Sequence, residues 1–227
     1  MNFLRLVSLG LLSSALFFAS ARAADPAPAA PVASADKEGA YNKVLEERSA
    51  KIVAALEVGD STKAFRVQSR IIAHYKSLNA WQEKYETRLK ELRKAQGESA
   101  KNEIATAYAD RKTARDAFLA DLAKDLTPAQ VDIIKNKLTY NKLQVTYNGY
   151  LQQLPTLKED QKKKIYNWLV EAREEGIDGV SSHEKDEIFG RYKGRINNYL
   201  SKEGYDLKQS SIDWKARRDA EAAAGKK

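Results

Sequence analysis

The sequence predicts an all-α fold, a helical bundle of about six or seven helices with one long αα-hairpin. Three observations lead to this fold class. From Tyr41 onward, apolar residues recur at steps of three and four, which is the helical period. The alternation at every second residue that marks half-buried strands is missing along this stretch. Two segments, opened by Thr127 and Ser181, carry the capping box that begins many helices.

The N-terminal segment has the pattern of an export signal. A positive charge at Arg5 precedes an apolar run from Leu6 to Phe18, and residues 21–23 read Ala-Arg-Ala, a cleavage pattern. Residues 1–23 are therefore expected to be a signal peptide, and the protein is expected to be exported, either periplasmic or secreted. The apolar run is shorter than the roughly 20 residues that span a membrane, so no transmembrane anchor is predicted.

The rest of the chain is predicted to form one domain between two irregular ends. Residues 24–39 are rich in alanine and hold three of the five prolines, which predicts a disordered linker. A single helical domain is expected over residues 40–217, because about 200 mature residues suffice for one core. The charged, alanine-rich residues 218–227 are predicted to fray.

The composition limits the kinds of functional site and partner that the protein can have. The chain has no cysteine, which excludes disulfides, thiolate metal sites and thiol nucleophiles. Its formal charge is +8, with 39 Lys and Arg residues interleaved with 31 Asp and Glu residues. Such a mixture is typical of a solvated helical surface, and it also suits anionic glycans, lipid headgroups or acidic proteins. Because export is expected, nucleic acid is not an expected partner, and the oligomeric state stays open.

The first half of the domain is predicted to hold three helices. The first covers about Tyr41–Val58 and stops at Gly59. The second is long, and its apolar residues alternate at steps of four and three, a heptad seam that requires a partner helix. Gly97 breaks this helix, and a third helix carrying Ile104 and Phe118 is expected to run back against it as the second arm of the hairpin. The residues of the seam are Ile71, Tyr75, Leu78, Gln82, Tyr85, Leu89 and Leu92.

The second half of the domain is predicted to hold four helices. Thr127, followed by proline and then by Gln130, gives the clearest helix start in the chain. After Leu138, β-branched and aromatic residues mix with Asn and Gly, which predicts a loop or a short extended piece. The last three helices are expected at about residues 157–176, 181–204 and 206–217.

No sequence motif supplies an evident catalytic or metal centre. The chain has no glycine-rich phosphate loop, no G-x-S-x-G and no H-E-x-x-H. His74 and His183 are far apart in sequence, and both are interpreted as structural side chains. Glu171, Glu174 and Glu175 suit ordinary charge pairing on a helix surface. No catalytic residue, metal ligand or cofactor is therefore predicted.

Two stretches depart from a plain helical pattern and are predicted to carry a ligand-binding site. One is Y-N-G-Y at residues 147–150, and the other is residues 190–199, where Gly190 and Gly194 each cost a helix about 1 kcal/mol relative to alanine. The glycines either let another backbone pack closely, which is the favoured interpretation, or leave nearby polar side chains free for a ligand. Tyr, Asn and Arg suit sugar rings and hydroxyls, and they suit a wet helix interface equally well. The predicted ligand-binding residues are Tyr147, Asn148, Tyr150, Arg191, Arg195 and Asn198.

Several motifs carry a resemblance to a known family. The segments LTPAQ, VTYNGYLQQLP, WLVEARE and YKGRINNYLSKEGYDLK resemble an uncharacterised family of exported bacterial proteins with a domain of unknown function, over nearly all of the mature chain. The resemblance implies no assigned activity, but its members resemble products found beside polysaccharide-degrading systems, which favours a glycan ligand. A weaker likeness to small periplasmic helical chaperones rests on Leu126, Thr127 and Gln130, and the capping box alone accounts for it.

The function expected from the sequence is that of a non-catalytic binding or accessory protein of the envelope. Its expected partner is a polysaccharide or an envelope protein, with a glycan ligand favoured by the resemblance. The first alternative is a periplasmic chaperone-like or stress-related protein that holds clients on the hairpin. The second alternative is a polysaccharide hydrolase or lyase, which needs ionisable side chains that converge in a pocket.

Overall fold

The computed structural model describes residues 32–95 and 97–224, and these residues form eight α-helices without a β-strand. The predicted all-α helical bundle is confirmed. None of the helices in this part of the chain is long and apolar enough to cross a membrane. In chain order, the helices are α1 (Val32–Ala54), α2 (Ser61–Ala95), α3 (Glu98–Ala123), α4 (Pro128–Leu138), α5 (Lys142–Gln153), α6 (Glu159–Gly176), α7 (Ser182–Lys202) and α8 (Leu207–Ala224).

The two terminal helices are longer than the sequence predicts. The chain separates into two units, residues 1–39 and 40–227, and of the first unit the structure describes only the start of α1. This helix begins at Val32 rather than near Tyr41, because its first residues are rich in alanine and free of proline. For the same reason α8 continues to Ala224, through most of the predicted frayed tail. The predicted signal peptide, residues 24–31 of the predicted linker and residues 225–227 lie outside the described residues.

The predicted hairpin is formed by α2 and α3. Gly97 stands before α3 in an extended conformation, with φ −127° and ψ 165°, and separates the two arms. Along the outer half of the hairpin, Leu89 and Leu92 of α2 are buried against Ala100 and Ala107 of α3. The predicted heptad seam therefore finds its partner within the hairpin itself.

Two larger apolar clusters hold the remaining helices. The first joins α1, the inner half of the hairpin and α4, and Ile177 reaches it from the turn after α6. In the same region His74 stacks on Phe118 with ring centroids 4.2 Å apart. Burial lowers the pKa of His74 to about 4, so its imidazole is neutral and structural, as the sequence predicts. The second cluster joins α5, α6 and α7 with the start of α8.

The loop predicted after Leu138 is much shorter than expected, and the Y-N-G-Y stretch lies in α5. The break is confined to residues 139–141, where Tyr140 and Asn141 adopt left-handed φ values of 56° and 55°. α5 forms despite its β-branched and Asn-Gly content because Leu143 and Tyr150 are buried against the second cluster. Tertiary packing here overrides a weak helix propensity.

The capping box at α4 is confirmed and the one at α7 is altered. Thr127 and Gln130 exchange side chain to backbone hydrogen bonds, and Pro128 is the first residue of α4. At α7, Ser181 accepts a hydrogen bond from the Glu184 backbone N–H at 3.1 Å. The Glu184 carboxylate, however, accepts from the backbone N–H of Val180 at 2.9 Å rather than from Ser181. The altered box fixes this carboxylate beside the hairpin.

Candidate functional site

A cleft of about 790 Å³ lies between the hairpin and the first turns of α7. The inner part of its lining combines aromatic rings with arginine and carboxyl side chains, which are the groups that bind polar ligands in pockets. These inner residues are Trp81, Tyr108, Arg111, Arg115, Asp178 and Glu184. A smaller cavity of about 240 Å³ shares Trp81, Arg111 and Arg115 with it.

Arg111 is the fixed centre of the cleft wall. Its side chain is only 7% exposed, and its guanidinium carbon lies 4.4 Å from the Trp81 ring centroid and 4.8 Å from that of Tyr108. Nη1 of Arg111 donates a hydrogen bond to Glu184 Oε1 at 2.8 Å. Stacking on two rings and an ion pair leave the guanidinium little freedom, so its remaining N–H groups are preorganised as donors.

Asp178 lies at the floor of the cleft, 5% exposed. Its Oδ2 accepts a hydrogen bond from Arg115 Nη1 at 3.1 Å. Its Oδ1 is buried and has no hydrogen-bond partner, which holds for no other buried side-chain N or O atom in the described part of the chain. Burial raises the pKa of Asp178 to about 7, although the positive charges of Arg115 and Arg111 oppose the shift. Burying a carboxyl oxygen without a hydrogen bond costs free energy. A ligand-binding site is one explanation for such a group.

The two carboxyl groups of the cleft have opposite environments. Both oxygens of Glu184 are engaged, one by Arg111 and the other by the Val180 backbone N–H. Only one oxygen of Asp178 has a donor, although its residue is the more buried of the two. Glu184 therefore holds Arg111 and the Val180 backbone in place, whereas Oδ1 of Asp178 can still accept a hydrogen bond.

The rim of the cleft is charged and more exposed than its inner part. Arg93 donates to the Tyr108 hydroxyl at 2.8 Å, and Arg191 forms an exposed ion pair with Glu175. His183 is exposed on the rim, with Nδ1 3.7 Å from a Glu187 carboxylate oxygen. Among the described residues, no three His, Asp or Glu side chains cluster so that they could hold a metal ion.

A second, shallower depression of about 640 Å³ runs along α7 and is called the groove here. Trp168 of α6 forms its aromatic part, with the Tyr199 ring edge-on at 5.4 Å between centroids. The guanidinium carbon of Arg195 lies 4.5 Å from the Trp168 ring centroid. The lining residues of the groove are Trp168, Arg191, Gly194, Arg195, Asn198, Tyr199 and Lys202.

The six predicted ligand-binding residues do not form one site. The three on α7, Arg191, Arg195 and Asn198, meet in the groove. The three on α5 are engaged elsewhere, and Tyr150 is buried with its hydroxyl donating to Asn197 Oδ1 at 2.7 Å. Lys193, whose carbonyl also receives that hydroxyl, lies two positions from Arg195 and so about 160° away around the helix. Tyr150 thus contacts the flank of α7 that faces away from the groove.

The other two α5 residues have structural partners. Tyr147 packs edge-on against Tyr166, with ring centroids 5.2 Å apart. Asn148 is exposed, and its Oδ1 accepts a hydrogen bond from Gln144 Nε2 at 2.7 Å within the same helix. Neither residue lines the cleft or the groove.

The glycines of α7 do not serve close packing. A Cβ atom added at Gly190 or Gly194 would meet no atom within 4 Å beyond the local backbone, and both residues are exposed. The favoured sequence interpretation, close approach of another backbone, is therefore wrong. The alternative interpretation, open surface beside polar side chains, describes Gly194, which lines the groove.

Sequence reasoning missed the cleft because its residues come from distant segments. Arg111 and Glu184 are 73 positions apart, and Arg115 and Asp178 are 63 positions apart. Gly179, directly after Asp178, was one local feature of the sequence that could have pointed to the cleft. A Cβ atom there would lie 2.7 Å from Lys185 Cγ, so any larger residue would force the buried Lys185 side chain to shift.

Comparison with known proteins identifies the family. Residues 42–220 match the family model described as Protein of unknown function (DUF3826), and the chain belongs to this family. The predicted membership of a family with a domain of unknown function is thus confirmed. A search of curated proteins finds no match.

Proposed function

We propose that the protein is a non-catalytic accessory protein that acts outside the cytoplasm and binds a saccharide in the cleft. The observation that carries the proposal is the pairing of a locked Arg111 with a buried carboxyl, Asp178, that lacks a hydrogen-bond donor. A ligand rich in hydroxyl groups, or a water that such a ligand orders, supplies the missing donor. The export signal predicted at residues 1–23 is the basis for the compartment.

Aromatic side chains in the cleft support a sugar rather than another polar ligand. Trp81 and Tyr108 are both partly buried, with centroids 5.6 Å apart, and both line the cleft. An aromatic ring covers the C–H groups of a sugar, while fixed guanidinium and carboxyl groups exchange hydrogen bonds with its hydroxyls. The lining holds positive and negative side chains in similar numbers, which suits a neutral unit.

A chaperone role receives less support. Such a role needs exposed apolar surface on the hairpin, but Leu89, Leu92 and their partners on α3 are buried against each other. Among the described residues, the most exposed large apolar side chains are Phe65, Val145 and Ile212, which lie on three different helices. Scattered apolar residues of this kind are ordinary for a protein surface.

A second candidate function is cleavage of the bound saccharide. The observation in its favour is a cleft with two carboxyl groups, of which Asp178 has a pKa near 7, since glycosidases use two carboxyls in different protonation states. Binding is better supported, because both oxygens of Glu184 are engaged, which leaves this second carboxyl group without a free oxygen for catalysis. Chromatography of oligosaccharides incubated with the protein tests this candidate: products that vanish with Asp178→Asn would favour cleavage.

The binding proposal is tested by calorimetry of the purified protein against a panel of oligosaccharides. We expect at least one member to bind and Trp81→Ala to weaken that binding by about tenfold or more, because the ring supplies the stacking surface. Phe65→Ala, which removes an exposed aromatic ring at the start of the same helix, is the matched control. Thermal melting of both variants verifies their folding. Equal binding by the Trp81 variant and the wild type would exclude the cleft as the site.

A further inference from the structure

The cleft and the groove share one residue, Arg191, which lines both. On α7, Glu187 lies in the cleft one turn before Arg191, and Arg195 and Lys202 lie in the groove after it. These positions follow each other at helical spacing along one face, so the two depressions form a continuous track. From Glu187 to Lys202 the track extends about 22 Å, at 1.5 Å per residue.

The charge of the groove differs from that of the cleft. Three of the seven groove residues are cationic and none is acidic. Lys202 has no carboxylate oxygen within 4 Å among the described residues. Lys164 adds a fourth positive charge beside the groove, with Nζ 4.1 Å from the Tyr199 ring centroid. This end of the track therefore favours an anionic group.

The ion pairs beneath the groove are weak enough to be exchanged. Arg195 Nη1 lies 3.0 Å from Glu171 Oε2, with the two side chains 53% and 50% exposed, and Arg191 pairs with Glu175 under similar exposure. Exposed pairs of this kind contribute little free energy, so a ligand carboxylate can replace Glu171 or Glu175 at small cost. A guanidinium binds a carboxylate through two parallel hydrogen bonds, which suits Arg191 and Arg195 to this exchange.

The surface of the groove also has room for a sugar ring. Gly194 leaves open space at its centre, since no atom lies within 4 Å of a Cβ added there. Trp168 and Tyr199 supply aromatic surface on one side of this space. An aromatic wall beside exposed cations is suited to a sugar unit that bears a carboxylate.

From this geometry we infer that the groove is a second subsite and that the ligand is an acidic oligosaccharide. Its neutral or hydroxyl-rich portion lies in the cleft, the chain passes Arg191, and a uronic acid unit lies on the groove with its carboxylate against Arg195 and Lys202. The inference rests on the proposed saccharide binding and adds the chemical class of the ligand.

The experiment compares matched ligands by calorimetry at low salt. The probes are hexamers of galacturonate, mannuronate and guluronate, each measured beside its methyl ester, which keeps the chain and removes the charge. We expect at least one free acid to bind about tenfold more tightly than its ester, and this preference to decline as added salt screens the charges. No free acid binding better than its ester would overturn the inference.

Two double variants test whether the preference for the free acid over its ester depends on the groove. Arg195→Gln with Lys202→Gln should abolish the difference between acid and ester, by lowering binding of the acid to the level of the ester. Lys43→Gln with Lys51→Gln removes the same charge from exposed positions of α1, which lines neither depression, and should keep the preference. An equal loss in both double variants would mean that net charge, not the groove, attracts the ligand.

The outcomes separate this inference from the proposed function. If acids and esters bind equally and Trp81→Ala weakens both, the cleft binds a saccharide and the groove subsite is wrong. If none of the saccharides in either panel binds, the proposed function fails and the inference fails with it.

Discussion

The cleft and the groove use the same three kinds of side chain in different environments. In both, an arginine stacks on a tryptophan, with the guanidinium carbon 4.4 Å from the ring centroid for Arg111 on Trp81 and 4.5 Å for Arg195 on Trp168. In both, the arginine also pairs with a glutamate. The exposure differs greatly, because the side chain of Arg111 is 7% exposed and that of Arg195 is 53% exposed.

The two sites therefore differ through burial rather than residue type, since burial fixes the arginine–glutamate pair of the cleft and exposure leaves that of the groove exchangeable. Removing Arg111 would leave Glu184 without its charge partner beside the hairpin, whereas removing Arg195 would leave Glu171 in water. The cleft is therefore preorganised, and the groove can rearrange around a ligand. Three pairs of substitutions test how far this difference extends.

The largest effect is expected from the two arginines themselves. Arg111→Ala should lower the free energy of unfolding by about 3 kcal/mol, because it removes a partly buried ion pair and the packing between two rings. Arg195→Ala should lower it by less than about 1 kcal/mol. Urea unfolding followed by circular dichroism measures both. Similar losses for the two variants would contradict the distinction drawn from exposure.

The second effect concerns Asp178 and depends on pH. Burial raises its folded pKa to about 7 from an unfolded value near 3.8, so the folded state binds more protons and this group lowers stability as pH rises from about 4 to 7. Asp178→Asn should therefore gain stability over the wild type with rising pH, by roughly 2 to 4 kcal/mol at pH 8, since the difference between the folded and unfolded pKa values corresponds to at most about 4 kcal/mol. Glu175→Gln on the rim serves as the control and should show no such gain. If the difference in the free energy of unfolding between Asp178→Asn and the wild type does not depend on pH, titration of the Asp178 carboxyl is not its cause.

The smallest effect concerns the glycines beside each depression. Gly194→Ala should stabilise the fold by about 1 kcal/mol, because its Cβ enters open space in a helix interior. Gly179→Ala should destabilise it, since the added Cβ would lie 2.7 Å from Cγ of Lys185, which is itself only 4% exposed. Thermal melting should register the gain as a rise of about 3 °C. A loss of stability for Gly194→Ala would mean that the groove is less open than the structure indicates.

The helices could be predicted from the sequence where local signals agree with the packing. The heptad seam of α2 gave the hairpin, and Thr127 with Gln130 gave the start of α4, since both signals depend on neighbouring residues alone. α5 could not be predicted, because its helix depends on the burial of Leu143 and Tyr150 against residues of α6 and α7. The early start of α1 at Val32 shows the converse, since alanine-rich sequence supports helix as well as linker.

The candidate sites were predictable only in part. Arg191, Arg195 and Asn198 share one face of a single helix, so helical spacing was enough to group them. Grouping them with Tyr150 required knowing on which flank of α7 the helix α5 packs, which spacing within either helix does not reveal. The cleft depends on contacts between α3 and the turn before α7, and the pattern around Arg111 and Arg115 looks like an ordinary helix surface.

Glu184 belongs to two parts of the molecule at once, since one carboxylate oxygen holds Arg111 of the hairpin and the other holds the backbone of Val180 before α7. Through these two hydrogen bonds, Glu184 couples the width of the cleft to the position of the first turn of α7. Because α7 also carries the groove, any change in the position of Arg111 would pass through Glu184 to the helix on which the second depression lies.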